Sequence, residues 1–229
     1  MNRIVPIVLV ALLAVGGGAY WLSNNQVATT EPEETVIATE DQASSEATEA
    51  TEMADDGAIA DMVLGSADAP ITMIEYASFT CPHCASFHLN TFKQLKTDYI
   101  DTGKVRFVFR EVYFDRFGLA ASMVARCGGK ERFFGITDLF FKGQSTWARG
   151  SDPTAIAAEI QKIGRLAGLG EETLKSCMQD QDQATALIAW YQANAEADDI
   201  TATPSFVING KKQPNVKYDE LKKILDALL

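Results

Sequence analysis

Four cysteines stand in this 229-residue chain, Cys81, Cys84, Cys127 and Cys177. Two of them frame the tetrapeptide Cys81-Pro82-His83-Cys84. Cysteines at this spacing can close a small disulfide ring, which opens by attack of a thiolate. The residues before the motif are β-rich and those after it have helical spacing, so Cys81 falls at a helix N-terminus. Unpaired N–H groups and the helix dipole favour an anion there, which lowers the Cys81 thiol pKa. Pro82 has no N–H to leave unpaired and suits the first helical turn. His83, once protonated, adds a positive charge beside the same sulfur. Cys84 lies one turn inside the helix and is expected to be the more buried of the two. A stabilised thiolate is a good leaving group and favours the reduced protein, so the corresponding disulfide is a strong oxidant.

A Cys-x-x-Cys pair is also half of many zinc sites. Cys127 and Cys177 are far apart in sequence, and neither has a close Cys or His neighbour. His83 and His88 are too near Cys84 to form a separate second half of such a site. Redox chemistry is the better reading, and no metal is expected. A purely structural role for so short a ring is poor, because it constrains little chain.

The elements that would position this pair can be followed along the sequence. Residues 71–79 (ITMIEYASF) are β-branched and aromatic and read as a strand preceded by Pro70. Residues 81–100 follow as one helix, with Phe92, Leu95 and Tyr99 at helical spacing and Gly103 after them. Residues 105–109 (VRFVF) are a second strand, and strand–helix–strand order implies a parallel crossover. Residues 117–198 contain no convincing strand. Helices are expected at 119–127, closed by Gly128 and Gly129; at 130–142, ended by Gly143; from Pro153, capped by Asp152, to about Gly168; and at 171–179 and 183–197. Residues 205–209 return to a strand, Asn209-Gly210 is a hairpin turn, and residues 218–229 form an amphipathic helix. The layout is an α/β sheet domain interrupted by a helical insertion.

Composition places this domain in a cellular context. The net charge is −11, which disfavours nucleic acid as a partner. Residues 24–56 hold ten acids and no Lys or Arg, so the remainder is close to neutral. Few apolar and no aromatic side chains occur in that stretch, and residues 24–58 are expected to be an acidic disordered linker, either a tether or a plain spacer. Residues 4–22 carry no charge and as a helix would span ~28 Å, about the thickness of a hydrocarbon core. Arg3 before the run and acids after it send the remainder across the membrane. Residues 1–23 are then either an uncleaved anchor or a signal peptide with small residues, Gly17 and Ala19, before the cut. Both readings export the domain.

The run EYASFTCPHCASFH and the later TATPSF resemble the DsbA family of exported thiol:disulfide oxidoreductases over residues 59–229, about three quarters of the chain. The resemblance implies a thioredoxin fold with an inserted α-helical domain. It implies that Thr203–Pro204 is a cis peptide packed against the Cys81–Cys84 pair, with Thr203 backbone groups able to hold a substrate strand by β-type pairing. It matches Glu75 to a buried acid that could relay the Cys84 proton, although strand alternation leaves open a solvent-facing Glu75. His88, where some relatives carry an acid, either tunes the pair electrostatically or simply packs. Reoxidation by a DsbB-like membrane quinone reductase is a further implication, as is the absence of any cofactor beyond the disulfide itself.

Two unpaired thiols would be hazardous beside an oxidising site, so a second disulfide, Cys127–Cys177, is expected in an exported protein. It serves as a staple or, alternatively, modulates the redox centre. Phe133, Phe134, Phe140, Phe141 and Trp147 either line a substrate groove or fill the core, and aromatic residues at helical spacing are usually core. The resulting expectation is a monomeric periplasmic dithiol oxidase, free in the periplasm or held at the inner membrane by residues 4–22, that donates disulfides to unfolded exported proteins. The rivals are a reductase or isomerase of the same fold and a tethered peptide-binding chaperone.

Overall fold

The computed structural model describes residues 59–229. The expected leader (1–23) and the whole of the expected linker (24–58) lie outside them. Five strands form one sheet: β1 (Met62–Leu64), β2 (Ile71–Ala77), β3 (Val105–Glu111), β4 (Ser205–Ile208) and β5 (Lys211–Gln213), in the order β1-β3-β2-β4-β5. β2 and β3 are parallel, and the other pairings are antiparallel. The parallel pair requires a crossover, which is made by α1 (Pro82–Leu89), α2 (Thr91–Leu95) and a π-helical turn at Lys96–Ile100. Five further helices lie between β3 and β4: α3 (Arg116–Cys127), α4 (Gly129–Trp147), α5 (Pro153–Leu166), α6 (Glu171–Gln179) and α7 (Gln181–Ala197). α8 (Tyr218–Asp226) closes the chain. This is a thioredoxin-like fold with helical elements inserted into it.

Alternation along β2 divides the two faces of the sheet. Ile71, Met73 and Ala77 pack into the main core with Phe107 and Phe109 of β3 and Phe206 of β4. Tyr76 faces the other way, into a smaller cluster with Val112 and Val207. Its hydroxyl donates to the Asp198 carboxylate, and the Asn194 carbonyl near the end of α7 lies 3.1 Å from the same hydroxyl. Arg110 adds a bond to Tyr76 and an ion pair with Asp61. Thus one face carries the redox motif and the other is fastened by a polar network.

Several boundaries differ from those read in the sequence, each for a physical reason. β1 has only three residues, too few for a periodic signal. The single helix expected over 81–100 is broken at Asn90, whose backbone leaves helical geometry (φ −120°, ψ −74°) while its side chain donates to the Ser86 carbonyl. α3 begins at Arg116 rather than residue 119, because Asp115 accepts from the Phe117 and Gly118 N–H groups. α4 does not stop at Gly143 but continues to Trp147. Burial of Gln144 and Trp147, with the Trp147 indole N–H bonded to the Phe140 carbonyl, outweighs the propensity cost of one glycine. Gly129 takes φ +70°, which lets α4 start with only Gly128 between it and α3. The Asn209-Gly210 turn joins β4 to β5, with both residues at positive φ.

Candidate active site

β2 ends at Ala77, and the chain reaches Cys81 through a short turn in which the Cys81 N–H donates to the Ser78 carbonyl. Cys81 is extended (φ −82°, ψ 118°) and is the N-cap of α1, with Pro82 in the first helical turn. Both cysteines are buried thiols, Cys81 at 8% exposure and Cys84 at zero. The Cys81 thiol is lowered to about 5. The largest cause is the hydrogen bond it receives from Cys84; burial opposes this, and the Thr203 side chain and the backbone N–H groups of Cys84 and His83 support it. Burial pushes the Cys84 thiol far up, and its bond to Cys81 and the charge of Glu75 push it further the same way. One sulfur is therefore held as an anion and the other as a protonated thiol.

His83 reaches this sulfur through its backbone N–H. Its ring is exposed and, with Ser86, Phe87, Asn90, Thr91 and residues 215–217, lines a cleft of about 230 Å³. Thr203 comes from the distant loop before β4. Its peptide bond to Pro204 is cis, its carbonyl lies 3.4 Å from Cys81 Sγ, and its buried hydroxyl has no other partner. Glu75 is on the motif face of β2, fully buried, opposite Phe109 of β3 and Phe206 of β4. His88 Nε2 lies 2.8 Å from Glu75 Oε2, while Glu75 Oε1 is unpartnered. The His88 ring stacks on Phe141 at 4.3 Å and also meets Phe87, Phe92 and Phe109. The pair is thus a buried carboxyl and imidazole surrounded by aromatic rings.

Two neighbours of the motif carry no signal in the sequence. Gln144 of α4 is buried, and its amide donates to the carbonyls of Phe79 and Cys81, each at 2.8 Å. Asp115, the cap of α3, also accepts from the Thr80 hydroxyl at 2.7 Å. Only the fold brings these groups together. The Phe-rich run fills the core: Phe133, Phe140, Phe141 and Trp147 are buried, and Phe134 is partly so.

Cys127 and Cys177 form a disulfide between α3 and α6, with Cα atoms 6.0 Å apart. Among the described residues, no group of three or more His, Cys, Asp or Glu side chains is arranged to hold a metal, and no helix is long and apolar enough to cross a membrane.

A thioredoxin family model matches residues 58–227. A putative protein-disulfide oxidoreductase of Rickettsia bellii is 35% identical over 170 residues, which cover 74% of this chain and 64% of that protein. The chain thus spans less than two thirds of that relative's length. Disulfide bond formation protein D of Bacillus subtilis is 27% identical over 172 residues, covering 73% of this chain and 76% of that one. The crystal structure of Wolbachia pipientis alpha-DsbA1 is similar with a TM-score of 0.69 and 31% identity, covering 73% of this chain and 90% of that chain.

Proposed function

This chain belongs to the DsbA-like branch of the thioredoxin family, and from that premise we propose that it is a thiol:disulfide oxidoreductase that donates the Cys81–Cys84 disulfide to exported proteins. The observation that carries the reading is the asymmetry between the two sulfurs, with Cys81 lowered to about 5 and Cys84 raised by burial.

The reaction takes two exchanges. A substrate thiolate attacks Cys81 Sγ, the bond between the two cysteines breaks, and its electron pair leaves on Cys84, which takes up a proton. A second thiolate of the same substrate then attacks the substrate sulfur of the mixed disulfide, and the electron pair leaves on Cys81. Two electrons pass to the protein and the substrate gains one disulfide. Of the two protons the substrate thiols give up, one ends on Cys84 and one in solvent. The second exchange is favourable because Cys81 leaves as a stabilised thiolate. At pH 7 a thiol titrating at about 5 is ionised ~99% of the time, against ~1% for one near 9.

Glu75, whose charge is felt at Cys84, is the proton relay for the first exchange. His88 holds that carboxyl and tunes it. The Thr203 backbone, beside the sulfur, pairs with an extended substrate segment. No organic or metal cofactor is needed. The domain works as a monomer on the exported side of the membrane, in the periplasm, with residues 1–23 as its leader or anchor, and a DsbB-like membrane quinone reductase restores the disulfide. Nucleic acid is not a partner.

A Cys84→Ser variant expressed in the native host tests this reading. It should accumulate mixed disulfides between Cys81 and exported proteins, while the wild-type pair is found mainly oxidised. A wild-type pair found mainly reduced would instead favour a reductase or isomerase. A Cys81→Ser variant that keeps full activity would indicate a peptide-binding chaperone.

A further inference from the structure

Cys81 has no side-chain cap on its helix. Its conformation must therefore be fixed by other contacts. One side is held by the Ser78 carbonyl, which accepts from the Cys81 N–H. The other side is held from outside the thioredoxin-like elements. Gln144 projects from α4, and its single amide group donates to the carbonyls of Phe79 and Cys81. A side-chain amide has two N–H donors, and two carbonyl partners use both, so the orientation of this amide is dictated by its partners. The two acceptor carbonyls bracket the Thr80–Cys81 segment. Phe140 and Phe141 of the same helix meet the Phe79 ring, each at 5.4 Å, and Phe141 also stacks on His88.

We propose that Gln144 is a positioning residue of the redox centre, through which the inserted helical layer holds Cys81 so that the first N–H groups of α1 aim at its sulfur. The proposal deepens the oxidoreductase reading and rests on it. The His83 and Cys84 N–H groups reach the sulfur only while Cys81 keeps its extended cap geometry. That geometry fixes where the Cys81 carbonyl points, and this carbonyl accepts from both Ala85 N–H and Gln144. The Gln144 bond also offsets the partial negative charge of the carbonyl on the same residue that carries the thiolate. Without the amide, the Phe79 carbonyl is left buried without this donor, and the segment can relax by turning the sulfur away from the helix. The insertion would then be part of the machinery that makes Cys81 a leaving group, in addition to any role as a substrate surface.

The test compares wild type with Gln144→Met, which keeps the length and bulk of the side chain and removes both donors. Three quantities are read on each purified protein: the titration of the Cys81 thiol, the equilibrium constant with glutathione, and the thermal midpoint of the oxidised form. The expected result is a Cys81 titration raised by about one unit and a glutathione equilibrium about tenfold less oxidising. A lower thermal midpoint with both redox quantities unchanged would overturn the proposal, since a merely structural glutamine would give that pattern. If the Met variant does not fold, Gln144→Asn serves. It keeps the donors but is one methylene too short to reach both carbonyls, and it should give a smaller shift of the same sign. A folded Asn variant with wild-type redox behaviour would be equally contrary. Failure of the underlying reading looks different: the wild-type Cys81 itself would titrate near 9.

Discussion

The two cysteine pairs of this molecule share one element and differ in everything around it. Cys81 begins a helix, where N–H groups converge on its sulfur. Cys127 is the last residue of α3, and Cys177 lies in the final turn of α6. Helix C-termini present carbonyls and partial negative charge, which disfavour a thiolate; the Thr173 carbonyl lies 3.6 Å from Cys127 Sγ. The first pair closes a ring across two intervening residues, and the second joins residues separated by 50 positions. One arrangement supplies a leaving group and holds little chain. The other holds much chain and supplies no leaving group. Backbone dipoles and loop length, and not the sulfur itself, divide exchange chemistry from reinforcement.

The largest effects should come from breaking the first pair. Cys81→Ser should abolish oxidative refolding of a reduced, unfolded substrate, and so should Cys84→Ser, since neither variant can hold the Cys81–Cys84 disulfide that accepts the two electrons. Retained turnover in either would show that the exchange runs elsewhere. Replacing Cys127 and Cys177 together by Ser should act on stability instead. Opening a 50-residue loop should cost up to about 4 kcal/mol in denaturant unfolding. The Cys81 titration should stay where it is, and a change there without loss of stability would reverse the assignment of roles.

A smaller effect is expected behind the first pair. His88→Leu leaves the Glu75 carboxyl buried with neither oxygen partnered, at a cost of about 3 kcal/mol. Adding Glu75→Leu should recover most of that loss, because a buried hydrogen-bonded pair replaced by apolar groups of similar shape is often nearly neutral. A double variant as unstable as the sum of both singles would mean the two residues do not act as a pair.

The pH dependence of the redox pair has a definite sign. Cys81 is lowered, so between about 5 and its ordinary value near 9 the reduced folded chain carries a thiolate where the unfolded chain carries a thiol. The stabilisation of the reduced form is therefore complete above about 9, shrinks as pH falls, and is gone below about 5. The difference in unfolding midpoint between reduced and oxidised protein should widen from pH 5 to pH 8. The same difference at both would contradict the shift.

Much of this was legible because it is local. The Cys-Pro-His-Cys motif, the strand before it and the helix after it are contiguous, and the Asp152-Pro153 and Asn209-Gly210 signals act within a few residues. The resemblance carried Thr203–Pro204, which propensity alone would have left as an ordinary loop. What escaped depends on distant packing. The direction in which Glu75 points could not be read from alternation, since Ile74 and Tyr76 on the other face are also apolar. It is settled by His88, 13 residues away on α1. In the sequence Gln144 is simply a polar residue just past a glycine. Only the continuation of α4 through Gly143 turns it toward the carbonyls of residues 79 and 81. β1 was too short to show a pattern, and the break at Asn90 lies within otherwise regular helical spacing.

The claim beneath all of this is that the sulfur at the start of α1 is an anion at neutral pH. Thiolate absorbance of the reduced protein, followed against pH with Cys81→Ser as the blank, measures it directly. The account predicts a midpoint at about 5. A midpoint near 9, like that of an ordinary cysteine, would contradict it.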